Sequence, residues 1–226
     1  MIQLQNISRL YRSDEVETAA LTDVSLTIER GEFVAIMGPS GCGKSTLLNV
    51  LGTIDKPSAG AYLFDGDDIA RFSEAKLAEF RAAHLGFIFQ SFNLIDDLTI
   101  RENIELGLQY RKGVNGSRGA MVEEAMDRVG VAHRARHYPH QLSGGQQQRA
   151  AIARAIVGAP KLLLADEPTG NLDSENGLQV MGILRALNQS GVTIVMVTHS
   201  QSQADLATRQ VNILDGRLAL SVTRVM

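Results

Sequence analysis

Apolar residues recur along this chain with two periods, and the switches between them outline its architecture. Ala20–Ile28 alternates, with Leu21, Val24, Leu26 and Ile28 apolar, as a half-buried strand requires. Phe33–Met37 is a short continuous apolar run and predicts a buried strand. Most of the first sixty or so residues read as strand, with helix over Lys44–Leu51 and a further strand at Tyr62–Phe64 before the turn Asp65-Gly66. Ser73–Ala83 reads as helix and Gly86–Phe89 as strand.

From about Ser91 to Ala159 the pattern is mainly helical. Thr99-Ile100-Arg101-Glu102 has the form of a capping box, with a threonine that can cap and a glutamate three residues on. Arg111–Arg118, rich in glycine and charge, predicts a loop, and Met121–Val129 and Gly145–Val157 predict helices. Strand returns at Leu162–Ala165 and Thr193–Val197, with helix Ser174–Asn188 between them. That order implies a parallel βαβ unit. A final hairpin, Val211–Leu214 and Arg217–Leu220, turns at Asp215-Gly216. The whole predicts an α/β core with antiparallel β near the N-terminus and an inserted helical lobe.

Composition narrows the classes. With 226 residues the chain suits one large domain or a domain with an inserted lobe. A net charge of −3 argues against a nucleic-acid partner, since such binders carry a basic excess. Cys42 is the only cysteine, which excludes an internal disulfide and suits a reducing compartment. The N-terminus lacks a basic stretch followed by an apolar one, and no segment approaches the roughly eighteen apolar residues of a membrane span. The expectation is a chain that does not span a membrane itself but can sit on one through a partner.

Two motifs carry chemistry. Gly38-Pro39-Ser40-Gly41-Cys42-Gly43-Lys44-Ser45 fits G-x-x-x-x-G-K-[ST] at every fixed position, with a strand before it and a helix after it. Glycines let backbone N–H groups curl around a β-phosphate, and the helix N-terminus adds positive potential. Lys44 is expected on the β- and γ-phosphates of ATP, Ser45 on Mg2+, and Thr46 on the α-phosphate. A glycine-rich turn with an incidental lysine is the alternative, and the flanking elements count against it. The second motif is the apolar run Leu162-Leu163-Leu164-Ala165, which ends in Asp166-Glu167. A strand's C-terminal end is where α/β folds hold ligands. Asp166 is expected to hold Mg2+ through water. Glu167, pointing elsewhere by strand alternation, is the candidate general base. A solvated strand end is the bland alternative.

A third motif has no obvious ligand within one site. Leu142-Ser143-Gly144-Gly145-Gln146 continues as Gln-Gln-Arg and is a second anion-binding element at a helix N-terminus. One nucleotide needs one glycine loop, so this element is expected to serve ATP bound to another copy of the chain.

In motif order the chain resembles the ATP-binding-cassette (ABC) ATPase subunits over essentially its full length. The resemblance implies a P-loop NTPase fold of the ABC type. Its mixed sheet core (1–90 and 160–226) would carry an antiparallel N-terminal subdomain, with a helical subdomain at about 91–159. It implies head-to-tail homodimers in which the Leu142–Gln146 signature of one copy closes over ATP on the other. It further implies that Gln90 touches Mg2+ and the attacking water, and that His199 contacts the γ-phosphate. Asp173, in Asn171-Leu172-Asp173, would reach the other subunit, and Tyr11 would stack on adenine. His84, His133, His137 and His140 match no family position and are expected to be surface or local hydrogen-bonding residues.

Gly-Gln-Gln-Gln-Arg at 145–149, Ile-Met-Gly-Pro-Ser-Gly at 36–41, Phe-Gln-Ser-Phe-Asn-Leu at 89–94 and Pro-Thr-Gly-Asn-Leu-Asp at 168–173 resemble one branch. It holds the macrolide-exporter, lipoprotein-release and cell-division ATPases. The expected setting is the cytoplasmic face of the cell membrane, bound to a separate integral membrane permease that docks near Gln90–Thr99. The other readings are an importer ATPase for a polar nutrient such as an amino acid, a regulator of an extracytoplasmic hydrolase, and a soluble ABC ATPase acting on DNA or ribosomes.

Overall fold

The computed structural model describes residues 1–12, 17–111 and 117–224, with side chains as far as Ala219. Residues 112–116 of the expected loop Arg111–Arg118 lie outside the described residues. The first elements are β1 (Ile2–Arg12), β2 (Glu17–Ile28), β3 (Phe33–Met37), α1 (Lys44–Leu51), β4 (Ala59–Phe64), β5 (Asp67–Asp68) and α2 (Glu74–His84). Then come β6 (Leu85–Ile88), α3 (Ile100–Glu105), α4 (Arg118–Arg128), α5 (Gly144–Ile156), β7 (Leu162–Asp166) and α6 (Ser174–Gln189). The chain closes with β8 (Thr193–Val197), α7 (Gln201–Ala204), β9 (Arg209–Leu214) and β10 (Arg217–Arg224). Two compact units result. The first is Met1–Leu77 with the segment from Thr193 onward, and the second is Ala78–Val192.

In the first unit β1 pairs antiparallel with both β2 and β4, and β5 extends β4. The buried positions of β2 are Leu21, Val24, Leu26 and Ile28, so the alternation slips by one residue after Leu21. Asp23 explains the slip. It adopts a left-handed φ of 55° opposite Asn6 at 51°, and Asn6 Nδ2 donates to Asp23 Oδ1 at 2.5 Å. The register shifts on either side of the Ile7↔Val24 pair, with an extra residue first on β1 and then on β2, so both strands change phase and keep their apolar faces inward. Within the same unit β3 pairs parallel with β8 on one side and β9 on the other, and β10 returns antiparallel to β9. The β9–β10 turn, Asp215-Gly216, has φ of 48° and 73°, as a two-residue hairpin turn requires.

In the second unit β6 and β7 are parallel neighbours, paired from Leu85↔Leu162 to Ile88↔Ala165. Helix α5 is rich in alanine and buried on nearly every face, including Ala150, Ala151, Ile152, Ala153 and Ile156. Small side chains let its backbone approach its neighbours closely. A Cβ at Gly86 of β6 would overlap the carbonyl of Ala155, so strand and helix touch backbone to backbone. Helices α4 and α6 each bury one stripe: Val122, Ala125 and Met126 on the former, and Val180, Met181, Leu184 and Leu187 on the latter.

Thr99 caps α3, and its reciprocal bond with Glu102 completes the capping box expected from the sequence. The hydrogen bonds from Thr99 hold the Glu102 carboxyl below the usual carboxylate range. One turn on, Asn103 is fully buried. Its Oδ1 accepts from the Ile95 N–H at 2.7 Å, and its Nδ2 faces the carbonyls of Ile95, Leu98 and Thr99 at 3.0–3.1 Å. This one amide holds the whole 95–99 segment. We predict that Asn103→Ala lowers unfolding free energy by about 2–4 kcal/mol, because the Ile95 N–H and the Leu98 carbonyl lose the amide as partner and a fully buried side chain is removed. Urea denaturation checks this, and a loss near zero would show that water or rearrangement replaces the amide.

Candidate functional site

Because β3 and β8 are parallel neighbours, the segments leaving their C-terminal ends emerge on one edge of the first unit. The phosphate loop leaves β3 and His199 follows β8, so the fold brings them to the same edge. Gly38, Gly41 and Gly43 all have positive φ. A Cβ at Gly43 would lie 2.5 Å from the carbonyl of Ala20, so only glycine fits where the loop enters α1. The Lys44 Nζ donates to the carbonyls of Gly38 and Pro39 at 2.9 and 2.7 Å, drawing its ammonium into the loop. Pro39, Ser40, Gly41 and Ser45 are exposed and Thr46 is half-buried, whereas Cys42 is buried. Exposed His199 is held from both sides. Thr198 N–H donates to the Ile36 carbonyl, and Thr198 Oγ1 accepts from the Ser200 N–H at 3.1 Å.

Tyr11 lies near the end of β1 and is partly exposed. Its hydroxyl donates to Asp55 Oδ2 at 2.6 Å, and the Arg9 guanidinium lies over its ring at 4.5 Å.

The same parallel logic organises the second unit. Gln90 follows β6, and Asp166 ends β7 with Glu167 next in the chain. Both carboxylates are half-buried. Strand alternation, however, does not turn Glu167 away from Asp166. Glu167 lies past the end of β7 with a left-handed φ of 44°, so the backbone itself reverses there. Such a conformation costs a non-glycine residue energy and persists where the surroundings hold it. Gln148 supplies one hold. It is fully buried on α5, and its Nε2 donates to the Pro168 carbonyl at 2.5 Å and the Phe89 carbonyl at 3.3 Å. One side chain thus spans the exits of both strands. Phe92 and Asn93 are also left-handed, and the Arg154 guanidinium donates to both their carbonyls. Burial pushes the Arg154 pKa down from its ordinary value.

Ser143 caps α5. Its Oγ accepts from the Gln146 N–H, and Gln146 Oε1 accepts from the Ser143 N–H at 3.2 Å. Leu142 is buried beneath this end, whereas Ser143 is exposed. A Cβ at Gly144 would lie 3.5 Å from Leu172, and one at Gly145 would overlap the amide of Asn176. The signature therefore rests directly on the Asn171–Asp173 loop and the start of α6. Asp173 caps α6, accepting from the Asn176 N–H at 2.8 Å and Asn176 Nδ2 at 2.7 Å. Those bonds hold its carboxyl below the usual range. Gln90 and Asn171 pair reciprocally. Gln90 Nε2 donates to Asn171 Oδ1, and Asn171 Nδ2 donates to the Gln90 carbonyl, each at 3.1 Å.

Beside the Gln90 segment lies a groove of about 320 Å3 whose lining includes Leu85, Phe87, Phe89, Asn93, Arg111 and Arg154. Among the described residues no helix is long and apolar enough to cross a membrane. The histidines set aside in the sequence make local contacts: His137 meets Arg134, His140 stacks on Tyr138 and His84 packs on Phe80.

Gln148, Asn176, Asn103 and Arg154 play no part in the sequence reading of the site. For Gln148, Asn103 and Arg154 the signal is a polar side chain close to apolar ones at core spacing, as with Gln148 shortly before Ala150, Ala151 and Ile152, whereas Asn176 sits in a polar stretch that carries no such signal.

Comparison with known proteins matches residues 21–170 to the ABC transporter family model. An uncharacterized ABC transporter ATP-binding protein of Methanocaldococcus jannaschii is 48% identical over 96% of this chain and 97% of its own. A macrolide export ATP-binding/permease protein MacB of Azoarcus is 46% identical over 96% of this chain, which spans only 33% of that relative's length. Among solved structures, the dimeric post-hydrolysis state of the ATP-binding cassette MJ0796, bound to ADP and Pi, superposes with a TM-score of 0.92 at 40% identity. That match covers 100% of this chain and 99% of the other.

We predict that Gly145→Ala destabilises the protein by about 1–3 kcal/mol through overpacking. Adding Asn176→Ala, which removes the amide the new methyl group strikes, recovers most of that loss. A double-mutant cycle in urea checks this, and additive losses would show that the two residues are uncoupled.

Proposed function

The chain belongs to the ABC transporter family and is an ATP-binding, ATP-hydrolysing subunit, and from that premise we propose that it works as a homodimer driving a separate integral membrane permease. The observation that carries the dimer is the shared surface of the signature and the Asn171–Asp173 loop. Ser143 and Asp173, the two residues expected to meet another subunit, are both exposed, and their elements pack together within one unit. A permanently paired signature would need no exposed anion-binding helix start. The dimer seen in the MJ0796 cassette supports the same arrangement.

The residues divide the work as follows. Tyr11 stacks on the adenine, and Gly38–Thr46 cradle the phosphates with Lys44 on their β and γ oxygens. Ser143, Gly144, Gly145 and Gln146 of the other subunit close over the γ-phosphate. Glu167 takes the proton of a water attacking the γ-phosphorus as the bond to ADP breaks, while Gln90 orients that water and His199 contacts the γ-phosphate. Ser45, Asp166 and Gln90 offer the hard oxygen donors that magnesium accepts. Among the described residues no three His, Cys, Asp or Glu side chains could hold an ion unaided. That suits an ion carried mainly by phosphate and water. When bound, magnesium would neutralise charge building on the phosphates. Residues 91–159 act as a helical subdomain on a core of 1–90 and 160–226.

The groove beside Gln90 is where we place the permease. Its aromatic walls and two arginines fit a short amphipathic helix from the cytoplasmic side of the partner. The protein then sits peripherally on the cytoplasmic face of the cell membrane. Likeness to the MacB exporter supports an exporter or mechanotransmission system, in which dimer closure does mechanical work across the membrane.

We predict that Glu167→Gln binds ATP, loses turnover by at least about 100-fold and accumulates as an ATP-bound dimer, measured by phosphate release and size-exclusion chromatography. Near-normal hydrolysis would remove Glu167 from the role of base. Mixing inactive Ser143→Ala and Lys44→Ala proteins should restore part of the activity, because one of the two composite sites in a mixed dimer is intact. No restoration in demonstrated mixed dimers would rule out sharing.

A further inference from the structure

Tyr11 does not stand alone at the end of β1. Its hydroxyl donates to Asp55 Oδ2 at 2.6 Å, and Arg9, two residues back on the same face of the strand, lays its guanidinium over the ring at 4.5 Å. Arg9 and Asp55 also pair, Nη2 to Oδ1 at 3.5 Å, with both side chains roughly three-quarters buried at 24% and 22% exposure. The three groups form a closed triangle in which each touches the other two. Asp55 is itself anchored, because its N–H donates to the Asn49 carbonyl of α1, the helix that begins at the phosphate loop.

We infer that Arg9 and Asp55 are positioning residues for nucleobase binding, which fix the Tyr11 ring relative to the phosphate helix and leave one face for the base. This rests on the reading of Tyr11 as the base-stacking residue. The physics has two parts. A tyrosine near a strand end loses side-chain entropy when it stacks, and a ring already held by its hydroxyl and one face has lost it before the nucleotide arrives. The guanidinium over one face also draws on the ring's π density. The opposite face becomes a better partner for an electron-rich purine. One carboxylate serves both functions, since Asp55 accepts the Tyr11 hydroxyl with one oxygen and holds Arg9 with the other.

The test compares two ligands of this same site, ATP and inorganic tripolyphosphate, which has the charge but no base. Displacement of a fluorescent ATP analogue reports affinity in the full-length Tyr11→Ala, Tyr11→Phe, Arg9→Ala and Asp55→Ala proteins. Arg9→Ala and Asp55→Ala should each weaken ATP by about two- to fivefold and leave tripolyphosphate unchanged, raising KM for ATP without lowering kcat. Tyr11→Phe, which keeps the ring but loses its tether, should fall between the wild type and Tyr11→Ala. If Tyr11→Ala weakens ATP while Arg9→Ala and Asp55→Ala do not, the positioning role is overturned and the stacking role stands. Equal weakening of both ligands would mark general damage to the fold and overturn the inference. Unchanged ATP affinity in Tyr11→Ala would overturn the stacking role and the inference with it.

Discussion

Parallel pairing of buried strands forces their C-terminal ends onto one edge, and the catalytic candidates hang from such edges. In the first unit β3 delivers the phosphate loop and β8 delivers His199. In the second, β6 delivers Gln90 and β7 delivers Asp166 and Glu167. Nothing in the local sequence of any one strand states this. It follows from the apolar runs, which suit burial on both faces of a parallel sheet. A substitution that shifted one of these strands by a residue would carry its functional side chain out of reach without replacing any residue of the site.

Carboxamides, buried at Asn103 and Gln148 and nearer the surface at Asn171 and Asn176, hold the loops that the strands leave behind. Asn103 gathers the 95–99 segment, Gln148 spans the exits of β6 and β7, Asn171 pairs with Gln90, and Asn176 grips Asp173. An amide suits this task because it offers donors and an acceptor and carries no charge to desolvate, and Gln148 uses its donor side. A lysine or aspartate in the place of Gln148 would bring a full charge into a fully buried site beside two backbone carbonyls.

That distinction explains what was legible in the residues. The phosphate loop, the acidic strand end and the Ser143 element were readable because each must present fixed atoms to a fixed ligand, which restricts residue type at set spacing. The strands and helices were readable because burial imposes a period. The slip at Leu21–Val24 departs from the alternation expected over Ala20–Ile28, and its cause, the paired left-handed residues Asn6 and Asp23, needs two strands to be seen together. The turn of Glu167 comes from a left-handed backbone just beyond β7, which strand alternation alone does not predict. The amide braces stayed hidden because each joins residues distant in sequence, as Gln148 does with Phe89.

The serine that starts α5 shows how one residue can satisfy two constraints. Its hydroxyl oxygen accepts the Gln146 N–H and so begins the helix, a task that aspartate or asparagine performs equally well. A hydroxyl has one donor and two acceptor sites, and the cap uses only an acceptor. The O–H remains able to donate outward from an exposed position, in line with the positive end of the helix. Aspartate there would cap the helix and repel a phosphate, and alanine would leave the helix start uncapped. Serine therefore meets the folding requirement and the anion requirement together. The glycines that follow keep the surface low enough for the Asn171–Asp173 loop to lie beside it.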